Sequence, residues 1–258
     1  MNKRKAMSSD KAREVRQKGH DDALEFALSI GLKSDYKNDV KAKKDVIDPS
    51  GDAHSVKSGK KRWQIFLYHK SRFEEDPAFQ TMNGIGQLLI KCLEIFPDNY
   101  ETYKLNKQDY KNRLQRFMIA IKDKLNEKRR LKSFLSKSLF NGGEVNYLTI
   151  KHNDKFHVFL NNDIIECLAD NLSIENSVAR KSNETSNQKV LFKFNNHNVG
   201  ELEIRNSSPN HYREVLFVMN KLKVVDLLFS FFKNPKVFNK NVYVYGNAKR
   251  KFGNWTKL

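Results

Sequence analysis

The chain has 258 residues, with 48 Lys and Arg against 30 Asp and Glu, a formal net charge of +18 with histidine neutral. At 39% hydrophobic and 11% aromatic it can bury a core in one large or two small domains, and 11 Gly with 5 Pro exclude collagen-like and proline-rich classes. Cys92 and Cys167 stand far apart in apolar contexts, so they build neither a zinc site nor a disulfide framework, and a reducing, cytoplasmic setting is expected.

Residues 1–18 are polar and basic and read as an arm that orders on binding. Asp21 to Leu32 reads as a helix, with Leu24, Ala27, Leu28 and Gly31 on one stripe. Val40 to Tyr68 is β-rich, with Pro49-Ser50-Gly51-Asp52 as a turn between two short strands. Arg62 to Tyr68 is a third strand, apolar enough to lie centrally in a sheet. Ile85 to Phe96 is a helix ended by Pro97, and Gln108 to Leu139 is one long or broken basic helix. After Asn141-Gly142-Gly143 the period changes to two, giving a hairpin of Val145 to Ile150 and Phe156 to Leu160.

Ile164 to Leu172 reads as a short helix, and 173–189 as a long polar loop. A second hairpin joins Val190–Phe194 to Glu201–Arg205. Tyr212 to Phe232 follows as an amphipathic helix, and Val242 to Tyr245 as a last strand. The expected class is α+β, α/β/α-like, with a central mixed sheet flanked by helices. Three parts are expected: the arm 1–18, a catalytic core 19–140, and a hairpin-rich recognition part 141–258.

A surplus of +18 repels itself and points to a polyanionic partner, nucleic acid before a membrane surface. The tract from Glu101 to Phe140 is strongly basic, and after Asp226 only basic charges follow, from Lys233 to Lys257. Two such tracts suit a protein that follows a nucleic-acid backbone. The most apolar run, Val224 to Phe232, is short and carries Asp226, so no membrane span is expected.

One segment carries candidate chemistry. A turn near Ser50-Gly51 sets Asp45 opposite Ser55, and strand alternation gives Ser55 and Lys57 one face. A carboxylate, a hydroxyl and an ammonium then meet. Phosphodiester hydrolysis uses such groups: oxygen ligands hold Mg²⁺, and a lysine orients water or stabilises charge on the phosphoryl oxygens.

In Lys44-Asp45, the turn and Ser55-Val56-Lys57, the chain resembles the PD-(D/E)xK nucleases, and among them the type II restriction endonucleases. The resemblance extends to Gly19-His20-Asp21-Asp22 with Glu25 on the upstream helix, and to Trp63 to Tyr68 as the following strand, so it covers roughly residues 19–70. It implies Asp45, Ser55, Lys57, Glu25 and Gln64 as the catalytic group and Asp45, Glu25 and Asp52 as metal ligands. The chain departs from the pattern where Ser55 replaces the second acid and Lys44 replaces the proline. Implied with it are Mg²⁺, double-stranded DNA, a homodimer matching a palindromic site and a cognate DNA methyltransferase.

Arg, Asn and Gln read base edges, which singles out Arg180, Lys181 and Gln188 in the polar loop. Arg205, Asn206, Asn210, His211 and Arg213 form a second candidate set, at an expected helix N-terminus suited to phosphate. Glu203 is a candidate to orient Arg205, or to form a plain cross-strand ion pair. The competing expectation is a nucleic-acid-binding protein without activity, or a structure-selective repair nuclease. No glycine-rich loop ending in Lys-Ser/Thr supports a P-loop nucleotidase.

Overall fold

The computed structural model describes residues 9–39, 43–182 and 184–257. Residues 1–8 of the expected arm, Val40 and Asn183 lie outside them.

The chain begins with helix α1 (Ser9–Ser29) and strands β1 (Val46–Ile47), β2 (Ala53–Lys57) and β3 (Arg62–Tyr68). Helices α2 (Lys70–Glu75), α3 (Pro77–Thr81), α4 (Ile85–Glu94), α5 (Tyr100–Leu105), α6 (Lys107–Leu125) and α7 (Lys128–Phe140) follow. Next come β4 (Tyr147–His152), β5 (Lys155–Leu160), α8 (Asn161–Asn171), β6 (Ser173–Asn176), β7 (Lys189–Phe194) and β8 (His197–Arg205). The chain closes with β9 (Glu214–Asn220), α9 (Lys221–Phe231), β10 (Lys236–Asn239), β11 (Val242–Val244) and α10 (Ala248–Lys251). The class is α+β. No helix among the described residues is long and apolar enough to cross a membrane.

The chain divides into two compact units, one of residues 1–60, 143–164 and 232–258, the other of 61–142 and 165–231. Both the 19–140 and the 141–258 stretch therefore contribute to each unit. The chain passes between the units near residues 60, 142, 164 and 231.

The first unit is built on a mixed sheet of order β1-β2-β4-β5-β11-β10. The β2–β4 and β5–β11 pairs are parallel, and the other three are antiparallel. Helix α1 packs on one face through Ala23, Phe26, Ala27 and Ile30, spaced as one helical stripe. Phe156, Val158, Val242, Val244 and Phe252 complete that core. The helix starts at Ser9, well before the expected Asp21, and Lys11–Glu14 and Gln17–Asp21 contacts support its polar turns. It ends at Ser29, and Gly31 just beyond it has a φ of 90° that suits a residue without a Cβ.

The second unit has an antiparallel sheet of order β3-β9-β8-β7-β6. Its core gathers Phe66, Phe73, Phe79, Phe134, Phe192 and Phe217. Three expectations are corrected here. Arg62 to Tyr68 forms an edge strand of this sheet, because the pairing on its apolar residues comes from β9 alone. The expected helix over 212–232 is a strand up to Asn220 and a helix from Lys221, since Val215-Leu216-Phe217-Val218 pairs with both β8 and β3. The basic helix, expected as long or broken, is broken at Glu127, whose backbone is extended. The start of the polar loop, Ser173–Asn176, adds an edge strand to β7.

A buried polar group fixes the β1–β2 turn. Asp48 Oδ1 accepts the N–H groups of Ser50 and Asp52 at 2.8 and 3.0 Å. Its Oδ2 meets His54 Nε2 at 3.3 Å, while His54 Nδ1 lies 2.9 Å from Thr149 Oγ1. Tyr147 stacks on the imidazole at 4.7 Å. Burial depresses the His54 pKa below the ordinary imidazole value, against the opposing pull of Asp48 and Asp52. The unfolded chain thus binds a proton below about pH 6.5 that the folded chain resists. Stability is fully present above that pH and falls as the pH drops below it. Urea midpoints are expected to fall between pH 7.5 and 5.5, and His54→Gln is expected to flatten that dependence. A slope unchanged by the substitution would show that other groups govern acid stability.

Candidate active site

The turn forms where the sequence places it. Val46 pairs with His54 and Ile47 with Ala53, so one step further Asp45 stands opposite Ser55. Gly51, at φ 86°, closes the turn.

The Asp45 carboxylate does two jobs at this point. Its Oδ2 accepts the backbone N–H of Val56 at 2.7 Å, extending the short β1–β2 ladder by a side-chain bond, and it also accepts from Ser55 Oγ at 3.4 Å. Lys57 Nζ donates to the same Ser55 Oγ at 2.8 Å. Carboxylate, hydroxyl and ammonium therefore form one chain, Asp45–Ser55–Lys57. Ser55 is buried, whereas Asp45 and Lys57 are partly exposed. A buried hydroxyl held between two charges has a fixed orientation and holds both charged groups in turn.

The other expected members are placed elsewhere. In the parallel β2–β4 pair, Lys57 is partnered with Ile150, so Lys151 projects from the opposite face. Glu25 is on that face, 2.6 Å from Lys151 Nζ, beside Asp22 at 2.8 Å. Burial raises the pKa of Asp22, but hydrogen bonds from Lys151 and Ser58 outweigh it and hold the carboxyl below its ordinary value. Asp52 precedes β2, accepts from Tyr147 Oη at 3.3 Å, and lies five residues along the strand from Lys57, roughly 16 Å in extended chain. Gln64 is an exposed residue of β3, in the other unit. Among the described residues, no three His, Cys, Asp or Glu side chains group as a metal cage.

The donor set at the hairpin is thus one carboxylate and one hydroxyl. Both are oxygen ligands of the kind a hard cation takes, and Mg²⁺ is commonly held by one or two carboxylates with water and phosphate completing its shell. The residues fit Mg²⁺ on those terms, with Asp45 as the anionic ligand.

The expected recognition residues all belong to the second unit. Gln188 is a strut: its Nε2 donates to Lys111 O at 3.0 Å and Ser186 O at 3.2 Å. Arg180 and Lys181 are exposed. Arg205 ends β8 opposite Glu214, and Asn206 follows it. Asn210 and His211 lie in a short 3-10 turn that leads into β9, which removes the expected helix N-terminus. His211 Nδ1 and His69 Nε2 hold the two oxygens of buried Glu214 at 2.8 and 3.0 Å. Arg213 pairs with Asp98. Glu203 pairs with Lys189 directly across the β7–β8 ladder at 2.6 Å, the plain ion-pair alternative to orienting Arg205.

Two groups stand out only in three dimensions. The Asp48–His54–Thr149 network depends on a strand residue 95 positions beyond His54, and the Asp22–Lys151 pair on one 129 residues away. Neither has a local pattern. No protein-family model, curated protein or solved structure matches the chain.

The opposite placement of Glu25 makes a specific prediction. Glu25→Gln is expected to lower thermal stability only slightly, since the half-exposed ion pair it breaks is worth up to about 1 kcal/mol. An unfolding free energy lowered by about 3 kcal/mol or more would show instead that the fold depends on the pair.

Proposed function

We propose that the protein is a Mg²⁺-dependent, site-specific double-stranded DNA endonuclease of the type II restriction kind. The observation that carries this reading is the hydrogen-bonded chain from Lys57 through Ser55 to Asp45 at the β1–β2 hairpin. The +18 charge supports a polyanionic substrate.

In this reading Asp45 and Ser55 hold the cation. When bound, Mg²⁺ polarises the scissile phosphate and lowers the pKa of the attacking water. Lys57 places its ammonium beside the phosphoryl oxygens, where charge develops. The Val56 N–H keeps the Asp45 carboxylate aimed at the same point, and Ser55 keeps Lys57 within reach. Water adds to phosphorus, one bridging P–O bond breaks, and the strand parts. A homodimer would present two such sites to the two strands of a palindrome. A cytoplasmic location and a partner DNA methyltransferase that protects host sites belong to the same proposal.

Asp45→Ala and Lys57→Ala are each expected to slow cleavage of a labelled duplex by at least about a hundredfold. Specific binding in Ca²⁺, read by gel shift, is expected to persist. Undiminished cleavage in either variant would end the assignment. Salt-sensitive retardation with no cleavage by wild type would favour a binding protein without nuclease activity.

A further inference from the structure

In the second unit, most cations between Lys122 and Lys137 of α6 and α7 are paired. Lys122 pairs with Asp123, Lys128 with Asp170, Lys132 with Glu166 and Lys137 with Asp76. Lys124 differs from them. It lies partly buried in the last turn of α6, yet among the described residues its ammonium has neither an ion pair nor a hydrogen bond.

The break between the two helices brings a second cation to the same place. Arg130, in the first turn of α7, is held by two bonds. Its Nε donates to Glu127 Oε2 at 2.6 Å and its Nη1 to Asn83 O at 2.8 Å. Both cations close on Gly84, which joins that loop to α4. Lys124 Nζ lies 3.3 Å, and Arg130 Nη1 3.7 Å, from the place a Cβ on Gly84 would take. The missing side chain leaves a notch, and the two cations border it. Charged nitrogens so near one point are within reach of one phosphate, whose oxygens accept charge-assisted bonds at about 2.7–2.9 Å.

Gly84, Lys124 and Arg130 are all partly exposed, so the notch is open to solvent. The first turn of α4 takes no part, because Gly86 is pressed against the carbonyls of Phe79 and Gln80. Glu127 takes the Nε edge of the guanidinium, and donors remain on Arg130 as well as on the ammonium. Two like charges this close repel each other, and Glu127, at 58% exposure, is screened by solvent. An anion in the notch relieves that repulsion.

We infer that Lys124 and Arg130, with the Gly84 notch between them, form a clamp that grips one backbone phosphate of DNA. This deepens the endonuclease reading and rests on it only in taking DNA as the polymer. The guanidinium offers a fork and the ammonium a point charge, both of which suit phosphate oxygens. The surplus of +18 favours a polyanion over a single small anion. Such a contact positions the duplex and reads no bases.

The test is fluorescence anisotropy with a labelled duplex across a salt series, in chelator so that nothing is cut. Lys124→Gln and Arg130→Gln are each expected to weaken binding about fivefold to tenfold at low salt and to reduce the log–log salt slope by about 0.9. Because both cations hold the same phosphate, the double variant is expected to lose little more than either single one. Unchanged melting temperatures would confirm that the variants fold. If Arg130→Gln does not fold, Lys124→Gln decides alone, since it removes no bond of the fold. A wild-type slope in Lys124→Gln or in the double variant would overturn the clamp. So would single losses that multiply, with a slope reduced by about 1.8, because the cations would then hold separate phosphates. Binding as expected by a wild type that cuts nothing in Mg²⁺ would keep the clamp and remove the endonuclease.

Discussion

The first unit depends on what the Asp45 carboxylate does with the Val56 N–H. Strand β1 has only two residues, too few to fix a hairpin by backbone pairing alone. The 2.7 Å bond from Val56 to Asp45 lengthens the ladder with a side chain. It also fixes which way Ser55 and Lys57 face, because neighbouring residues on a strand point to opposite sides. At the other end of the hairpin, Asp48 holds the turn and His54 ties it to β4. A candidate site on so short a strand is kept in place by side chains at both ends.

Charge is arranged differently in the two units. In the first, Asp22 and Glu25 of α1 pair with Lys151 and Asp48 of the turn accepts backbone N–H groups, while Asp45 is linked to Lys57 through Ser55. In the second, cross-strand pairs such as Lys189–Glu203 and Lys193–Glu175 join the strands β6, β7 and β8.

The hairpin was legible because turn residues and strand period act locally: Pro49-Ser50-Gly51-Asp52 fixes the turn, and the period of two then gives the faces. The β4–β5 hairpin was legible for the same reason, but the expected α1 stripe of Leu24, Ala27, Leu28 and Gly31 is corrected: the core takes Ala23, Phe26, Ala27 and Ile30, and Leu28 is exposed. What long-range pairing decides was not. Whether Glu25 shares a face with Lys57 depends on the β2–β4 register, formed across the intervening residues 61–142. The Glu214–Asn220 stretch alternates weakly, and only two neighbouring strands make it β. Arg62 to Tyr68 is as apolar as a central strand and still lies at an edge. The proline-free Lys44-Asp45 step is held by a backbone bridge to Asp39, five residues back, and by the Lys44–Glu144 ion pair.

The central claim is that a single carboxylate, a buried hydroxyl and an ammonium at this hairpin suffice, with Mg²⁺, to cut duplex DNA. Supercoiled plasmid incubated with the purified wild-type chain tests it directly, run with Mg²⁺ and in parallel with excess chelator. The account predicts discrete linear fragments with Mg²⁺ and intact plasmid with chelator. Intact plasmid in both lanes, or fragments that persist in chelator, would contradict it.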